Sequence, residues 1–297
     1  MMDRIVMKLE KCLEVIKMWQ NSYDGSPSVY MVPTPIGNLD DMTFRSLDVL
    51  KMVDVIFSED TRVTLQLLNN FDIKKKLYPL HDHNEEQVKE NVLSFLREGK
   101  NVALVTDRGT PIISDPGYKT VKYLKENGYN VICLPGACAF VPALVMSSIS
   151  SEHFTFYGFL PSKESKARSE LELLKDNEYT LVFYEAPHRI INTLNLMLEI
   201  FGDRYISISR EISKIHESVF VGKISEALSD TSSFKGEFVI VVSPSDNSVS
   251  LNESVIDAVN RYIKSGITSM EAIKLVAKER KVPKSDIYKE YQEAIKK

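Results

Sequence analysis

Residues 104–118 read LVTDRGTPIISDPGY. A hydrophobic run closes in Thr106-Asp107, and Gly109, Pro111, Asp115, Pro116 and Gly117 follow in close order. A plain βα connection takes about two to six residues. This one is far longer and rich in turn formers, so it reads as a strand end in an α/β sheet with something to hold there.

Outward from it, short apolar runs alternate with amphipathic ones. VYMV (29–32), VDVIFS (53–58), KLYPL (76–80), NVALVT (101–106) and NVICL (130–134) read as strands, and 41–52, 61–70, 85–98 and 116–127 as helices. That order predicts a mostly parallel sheet covered by helices. An apolar helix follows the PGACA turn (135–139), and a second half begins near 148. There strands are predicted at 153–160, 179–185, 204–211, 218–224 and 237–243, with helices at 163–176 and 188–200. Strands 204–211 and 218–224 have no long helix between them, so antiparallel pairing is expected. Residues 247–297 carry three helical patterns: Gly266 ends the first, Thr268 or Ser269 caps the second, and Pro283 opens the third. Residues 1–27 read as an amphipathic helix (Ile5, Leu9, Cys12, Leu13, Ile16, Trp19) and a linker. Lys8, Glu10, Lys11 and Glu14 interrupt it too often for a signal peptide. The predicted domains are 1–27, 28–147, 148–246 and 247–297.

The net charge of −4 argues against a general binder of phosphate backbones, DNA included. The charge is uneven, however: from Ser250 onward ten Lys and Arg oppose seven Asp and Glu, a local +3. Three scattered cysteines fit a reducing, cytoplasmic setting, and no run reaches membrane-span length. His81 and His83 have no completing ligand set, so no metal is expected. There is no G-x-G-x-x-G after a strand and no P-loop, so any nucleotide-like ligand is held in another way.

Four loops would share the carboxyl edge of the first sheet, where open α/β sheets bind ligands: 33–45, 58–64, 106–117 and 134–139. In the first, Asp40 or Asp41 is expected to cap the next helix. In the second half, FYEAPHR (183–189) and SREISKIHE (209–217) crowd charges at strand ends, which requires pairing or a ligand.

Taken in order, PTPIGNLDDMTFRSLDVL, SEDTRVT, TDRGTPIISDPGY, LPGACA, GFLP and LVFYEAPHR resemble the signature segments of the bacterial 16S ribosomal RNA cytidine 2′-O-methyltransferase family, a branch of the tetrapyrrole methylase superfamily. The likeness runs over about 28–245 and the closing segment, leaving the first 27 residues outside. Two departures stand out. Arg108 and Ile112 occupy positions that are small in the family pattern, where they would narrow the pocket or meet substrate phosphate. Cys138 stands in a turn that usually reads P-G-P-S-A.

The resemblance implies two α/β domains with S-adenosylmethionine in the cleft between them, plus a small helical RNA-binding module. It implies cofactor contacts at Pro35, Ile36, Asp107, Gly109, Thr110, Pro111, Gly136, Cys138, Ala139 and Tyr184. For the chemistry, Glu59 and Glu185 are candidates for the ribose hydroxyl proton. Asp60 is a lesser candidate for that proton and a substrate contact, and Arg62, Arg189, Arg210 and Lys214 are candidates for phosphate or developing charge. Lys278, Arg280 and Lys281, clustered with Lys274 and Lys284, would meet RNA. The expected substrate is 16S rRNA or the small ribosomal subunit, and the expected assembly a homodimer. Two rival readings are a tetrapyrrole C-methylase and a non-catalytic RNA-binding relative.

Overall fold

The computed structural model describes residues 19, 20, 22, 24–81, 83–232, 234–245, 254–264, 267–280 and 282–295. The predicted N-terminal helix, Gly266 and Lys281 lie outside the described residues. The first half is a five-stranded sheet in the order β3-β2-β4-β1-β5. Its strands are β1 (Ser28–Met31), β2 (Val55–Ser58), β3 (Lys76–Pro79), β4 (Val102–Val105) and β5 (Asn130–Cys133). Every pair is parallel. The three inner strands are buried along their whole length, which is why they read as continuous apolar runs rather than alternating ones.

Successive side chains of these strands feed two cores. Tyr30, Ile56, Ala103 and Ile132 face α1 (Phe44–Met52) and α2 (Thr61–Asn70). Met31, Phe57, Val102 and Leu104 face α3 (Glu85–Arg97) and α4 (Tyr118–Glu126). Thr43, not Asp40 or Asp41, caps α1, accepting the Ser46 N–H at 3.0 Å. The two aspartates are taken up by a 3-10 turn (Leu39–Asp41), itself capped by Asn38, and this turn moves the helix start beyond their reach. At the free edge of β5, the Gln20 side chain donates to Val131 O at 2.6 Å and accepts its N–H at 3.3 Å. That amide takes the place of a neighbouring strand.

The second sheet has the order β6-β7-β10-β8-β9. It comprises β6 (Phe154–Phe159), β7 (Thr180–Glu185), β8 (Tyr205–Arg210), β9 (Ser218–Lys223) and β10 (Phe238–Val242). Only β6 and β7 run parallel; the remaining pairs are antiparallel, which the short connection requires in the case of β8 and β9. One face packs on α6 (Glu164–Leu174), α7 (Ile190–Phe201) and α8 (Ile224–Ser229), the last an element not foreseen in the sequence. The other face, through Val182, Val239 and Val241, packs on α5 (Phe140–Met146). The chain that leaves the first sheet therefore covers the second before joining it.

Helices α9 (Val255–Lys264), α10 (Ser269–Glu279) and α11 (Lys284–Ile295) enclose their own core around Val259, Ile273, Val276 and Ile287. Thr268 caps α10.

Candidate active site

Strands β1 and β4 are neighbours, yet their following loops lead to helices on opposite faces. A crevice must open between such loops at the carboxyl edge. Thr34 and Gly109 stitch its floor with two reciprocal N–H···O bonds of 2.9 Å. Gly109 sits at φ +82°, a conformation that side chains with a Cβ resist. Ile112 (φ +76°) and Ser114 (φ +68°) are forced into the same region. Ile112 packs into the core beneath α3 and α4 instead of narrowing the crevice, and its burial offsets the backbone strain.

Above the floor lies a cavity of about 400 Å³, within the size range of small-molecule sites. Ile36, Gly109, Thr110, Ile113, Cys138 and Ala139 supply one wall. Phe159, Tyr184, Pro187, Ile212 and Val239 supply the other. Thr110 Oγ1 donates to Ala137 O at 2.9 Å, fixing the LPGACA turn beside the long loop. The Tyr184 hydroxyl accepts the Phe140 N–H at 3.3 Å, and its ring stands edge-on to Phe159 at 5.5 Å. Burial pushes the Tyr184 phenol up, with the charge of a Cys138 thiolate adding to the rise. Burial likewise raises the Cys138 thiol. Both groups stay neutral near pH 7, so this wall offers hydroxyl, thiol and apolar surface. Charge enters at Arg108, Asp115, Glu185 and Glu237.

The sequence-predicted residues separate into three sets. Ile36, Gly109, Thr110, Cys138, Ala139, Tyr184 and Glu185 line the cavity, whereas Pro35, Asp107, Pro111 and Gly136 are not part of the lining. Asp107 instead accepts the Asp60 N–H at 2.9 Å, tying the EDTR segment to the long loop. Glu185 is 2% exposed. Its Oε1 accepts the Ala186 N–H at 2.8 Å and lies 3.4 Å from Arg189 Nε, and its Oε2 accepts from Thr193 Oγ1 at 2.5 Å. Arg189 also donates to Leu160 O and Pro161 O, at 2.9 and 3.2 Å. The pair ties β7, α7 and the turn after β6 together, with Glu185 at the cavity lining.

The remaining charges are distributed around this centre. Lys214 binds Glu211 at 2.8 Å and Glu237 at 2.9 Å. Arg210 donates to His216 O at 3.2 Å. Glu59 is outside the lining; its carbonyl is 3.1 Å from His81 Nδ1. Lys278 is exposed and Arg280 half-buried on the helical module. Among the described residues no group of three or more His, Cys, Asp or Glu could hold a metal ion.

Sequence reasoning did not assign Phe159, Asp115, Ile212 or the Glu237–Val239 segment to the site. GFLP and SDPG offered a signal for the first two; EFVIVV reads as an ordinary strand and offered none.

Asp60 caps α2 and chelates Arg62, accepting its backbone N–H at 2.8 Å and its Nη2 at 2.6 Å. These bonds from Arg62 hold the carboxyl down at about 2, below its ordinary 3.8. The folded value is depressed, so any stability linked to this group is complete above 3.8 and is lost as pH falls through about 2. A carboxyl-carbon NMR titration is expected to find Asp60 still ionised at pH 3. An ordinary midpoint there would mean that the pair does not persist in solution.

Comparison with known proteins adds the following. The Tetrapyrrole (Corrin/Porphyrin) Methylases family matches residues 28–228. A Bacillus subtilis (strain 168) protein named ribosomal RNA small subunit methyltransferase I is 44% identical over 92% of this chain and 97% of its own. The protein of the same name from Escherichia coli O157:H7 is 42% identical over 76% of this chain and 81% of its own. Among solved structures, uroporphyrin-III-C-methyltransferase from Thermus thermophilus matches with a TM-score of 0.53 and 19% identity, over 75% of this chain and 96% of that one. The methyltransferase CobJ matches with a TM-score of 0.57 and 16% identity, over 74% and 95%. At those identities the structures speak for the fold alone.

Proposed function

The chain belongs to the tetrapyrrole methylase family, as one of its ribosomal RNA small subunit methyltransferase I members, and from that premise we propose that it methylates the ribose 2′-oxygen of a cytidine in the decoding region of 16S rRNA. It is a methyltransferase; S-adenosylmethionine as donor and ribosomal RNA as acceptor are the coarse content of that membership. What supports an rRNA acceptor is the 44% identity over nearly the whole of a relative named ribosomal RNA small subunit methyltransferase I. The cytidine 2′-oxygen rests on the resemblance of SEDTRVT, TDRGTPIISDPGY and LVFYEAPHR to the cytidine 2′-O-methyltransferase segments. No Gly-rich phosphate loop is needed, because this cofactor carries no phosphate.

The cavity fits such a cofactor. Its walls are apolar and neutral near Ile36, Ile113 and Val239, polar at Thr110 and Tyr184, and the Gly109 backbone approaches without a side chain. When bound, the cofactor supplies a methyl group on a sulfonium, a good leaving group. Methyl transfer then forms one O–C bond, breaks one S–C bond and releases the hydroxyl proton. Orientation is therefore the chain's main contribution. Glu185 and Arg189 serve by fixing the YEAPHR and GFLP turns rather than by moving the proton. In this reading Asp115, a carboxylate of the cavity wall, receives it.

The same reading takes 28–147 and 148–246 as the two methylase domains, with α5 lent to the second. The closing helices bring Lys274, Lys278, Arg280 and Lys284 to the RNA, and Arg62 and Arg210 remain candidate phosphate contacts. A cytoplasmic homodimer belongs to it as well. Val141 and Val145 on α5 and the adjacent Phe154 are exposed apolar side chains that a partner copy would cover.

The test is tritiated methyl transfer from S-adenosylmethionine to small ribosomal subunits that lack their native methylations, followed by nucleoside analysis. Label in 2′-O-methylcytidine is expected. Cofactor binding without transfer to this RNA would overturn the acceptor, and loss of cofactor binding would overturn the enzyme.

A further inference from the structure

We propose that Arg108 is a phosphate clamp at the mouth of the cavity, releasing Glu237 to engage a backbone phosphate of the incoming RNA. The inference rests on the RNA reading above and deepens it.

Arg108 leaves the end of β4 and reaches across the cleft to Glu237 on the second half, 129 residues away in sequence. Both side chains line the cavity, and both remain over half exposed, at 53% and 56%. Exposed ion pairs of this sort hold weakly. Among the described residues Arg108 donates to Glu237 alone, through Nη1. A guanidinium carries five N–H donors in a fixed fork, so most of its capacity is unused.

Release of Glu237 still leaves it a cation partner. Glu237 keeps Lys214 at 2.9 Å, and Lys214 is shared with Glu211 at 2.8 Å. The two carboxylates and one lysine form a unit that stands without Arg108. Other cations around the cleft have less freedom. Lys214 is committed to this unit, and Arg189 to Glu185 and two backbone carbonyls. Arg108 is thus poised for exchange: a planar fork, half in solvent, at the entrance that an RNA strand must cross. A phosphate offers that fork two oxygens at once and repels Glu237, and bidentate pairs of this kind outlast a single exposed contact. The cofactor's carboxylate offers the same oxyanion chemistry. At 53% exposure Arg108 is within reach of a solvent-borne strand, which favours the RNA.

The experiment compares the full chain with Arg108→Ala, Arg108→Lys and Glu237→Gln. Cofactor affinity is read by calorimetry, and RNA affinity by filter binding of unmethylated small subunits from 50 to 300 mM KCl. Arg108→Ala is expected to weaken RNA binding and raise its KM by roughly five- to tenfold, and to flatten the salt dependence by about 0.7 in log–log slope, one single-strand phosphate contact. Its cofactor affinity is expected to stay within about twofold. Arg108→Lys, with charge but no fork, should fall between. Glu237→Gln, which frees the guanidinium, should tighten RNA binding about two- to threefold. A rise in cofactor Kd with unchanged RNA affinity and slope would overturn the proposal and assign Arg108 to the cofactor carboxylate. No change in either would make the ion pair a mere tie between the halves. If the unsubstituted chain itself neither binds nor methylates the subunit, the RNA reading falls and this proposal falls with it.

Discussion

Glu185→Ala is expected to destabilise the fold by about 3 kcal/mol and to remove methyl transfer, by loosening the cavity wall rather than by removing a proton acceptor. The carboxylate is 2% exposed, accepts from the Ala186 N–H and Thr193 Oγ1, and forms an ion pair with the Arg189 guanidinium at 3.4 Å. Removing it leaves a buried hydroxyl, an amide and a largely buried cation without their acceptor, and breaking a buried pair costs about 3–5 kcal/mol. The low end applies because Arg189 retains 21% exposure and two carbonyl partners. The functional loss follows from what those partners hold. Arg189 anchors the GFLP turn beside Phe159, and Ala186–Pro187 form cavity wall, so both shift when the carboxylate is lost. Glu185→Gln separates this role from proton abstraction. The amide preserves the shape and one acceptor, so a stability loss of about 1–2 kcal/mol is expected with most of kcat retained. Urea denaturation and single-turnover kinetics provide the measurement. Unchanged stability with kcat down by about 10²- to 10⁴-fold would instead identify a general base.

The same residue marks the boundary of what the sequence discloses. FYEAPHR declares a cluster of charges that must be paired or bound, and Glu185 and Arg189 are paired with each other. Which oxygen meets which donor depends on Thr193 one helical turn into α7 and on carbonyls nearly thirty residues back at Leu160 and Pro161. The strand and helix order of the first half was legible because its inner strands are buried on both faces and leave unbroken apolar runs. Helix α8 was not legible: ISEALS buries only Ile224 and Ala227, too few positions to establish a helical period. The capping of α1 was misread for a local reason. Asp40 and Asp41 have cap chemistry, but a 3-10 turn consumes them and leaves the cap to Thr43.

The site itself was half visible. Its first wall comes from loops whose Gly and Pro content announces an unusual backbone. Its second wall includes the start of β10, where Glu237, Phe238 and Val239 belong to a plain hydrophobic strand. Cross-cleft pairs such as Arg108 with Glu237, or Asp41 with Ser213, join residues more than a hundred positions apart. Nothing local to either residue encodes them; they follow from how α5 carries the chain from one sheet to the other.

Gly136→Ala is expected to lower kcat/KM on the order of a hundredfold, chiefly through cofactor binding. A Cβ at Gly136 would lie 2.6 Å from Pro33 Cβ and 2.8 Å from its Cγ. Real side chains do not approach that closely, and a proline ring has no rotamer in which to retreat, so the backbone must move. Pro33 begins the loop whose Thr34 pairs with Gly109, and Gly136 lies in the turn whose Ala137 carbonyl accepts from Thr110. Parting the two by about 1 Å strains both links and carries Cys138 and Ala139 away from the opposite wall. Displacements of that size cost about 10²-fold in well-oriented reactions, and the overpacking itself costs about 1–3 kcal/mol. Gly202→Ala is the control. Gly202 ends α7 at φ +75° with nothing within 4 Å of a new Cβ, so it incurs backbone strain alone. Both variants should melt below the parent, but only Gly136→Ala should lose heat of cofactor binding in a calorimetric titration. Equal cofactor affinity in the two variants would mean that the contact between these two turns does not shape the cavity.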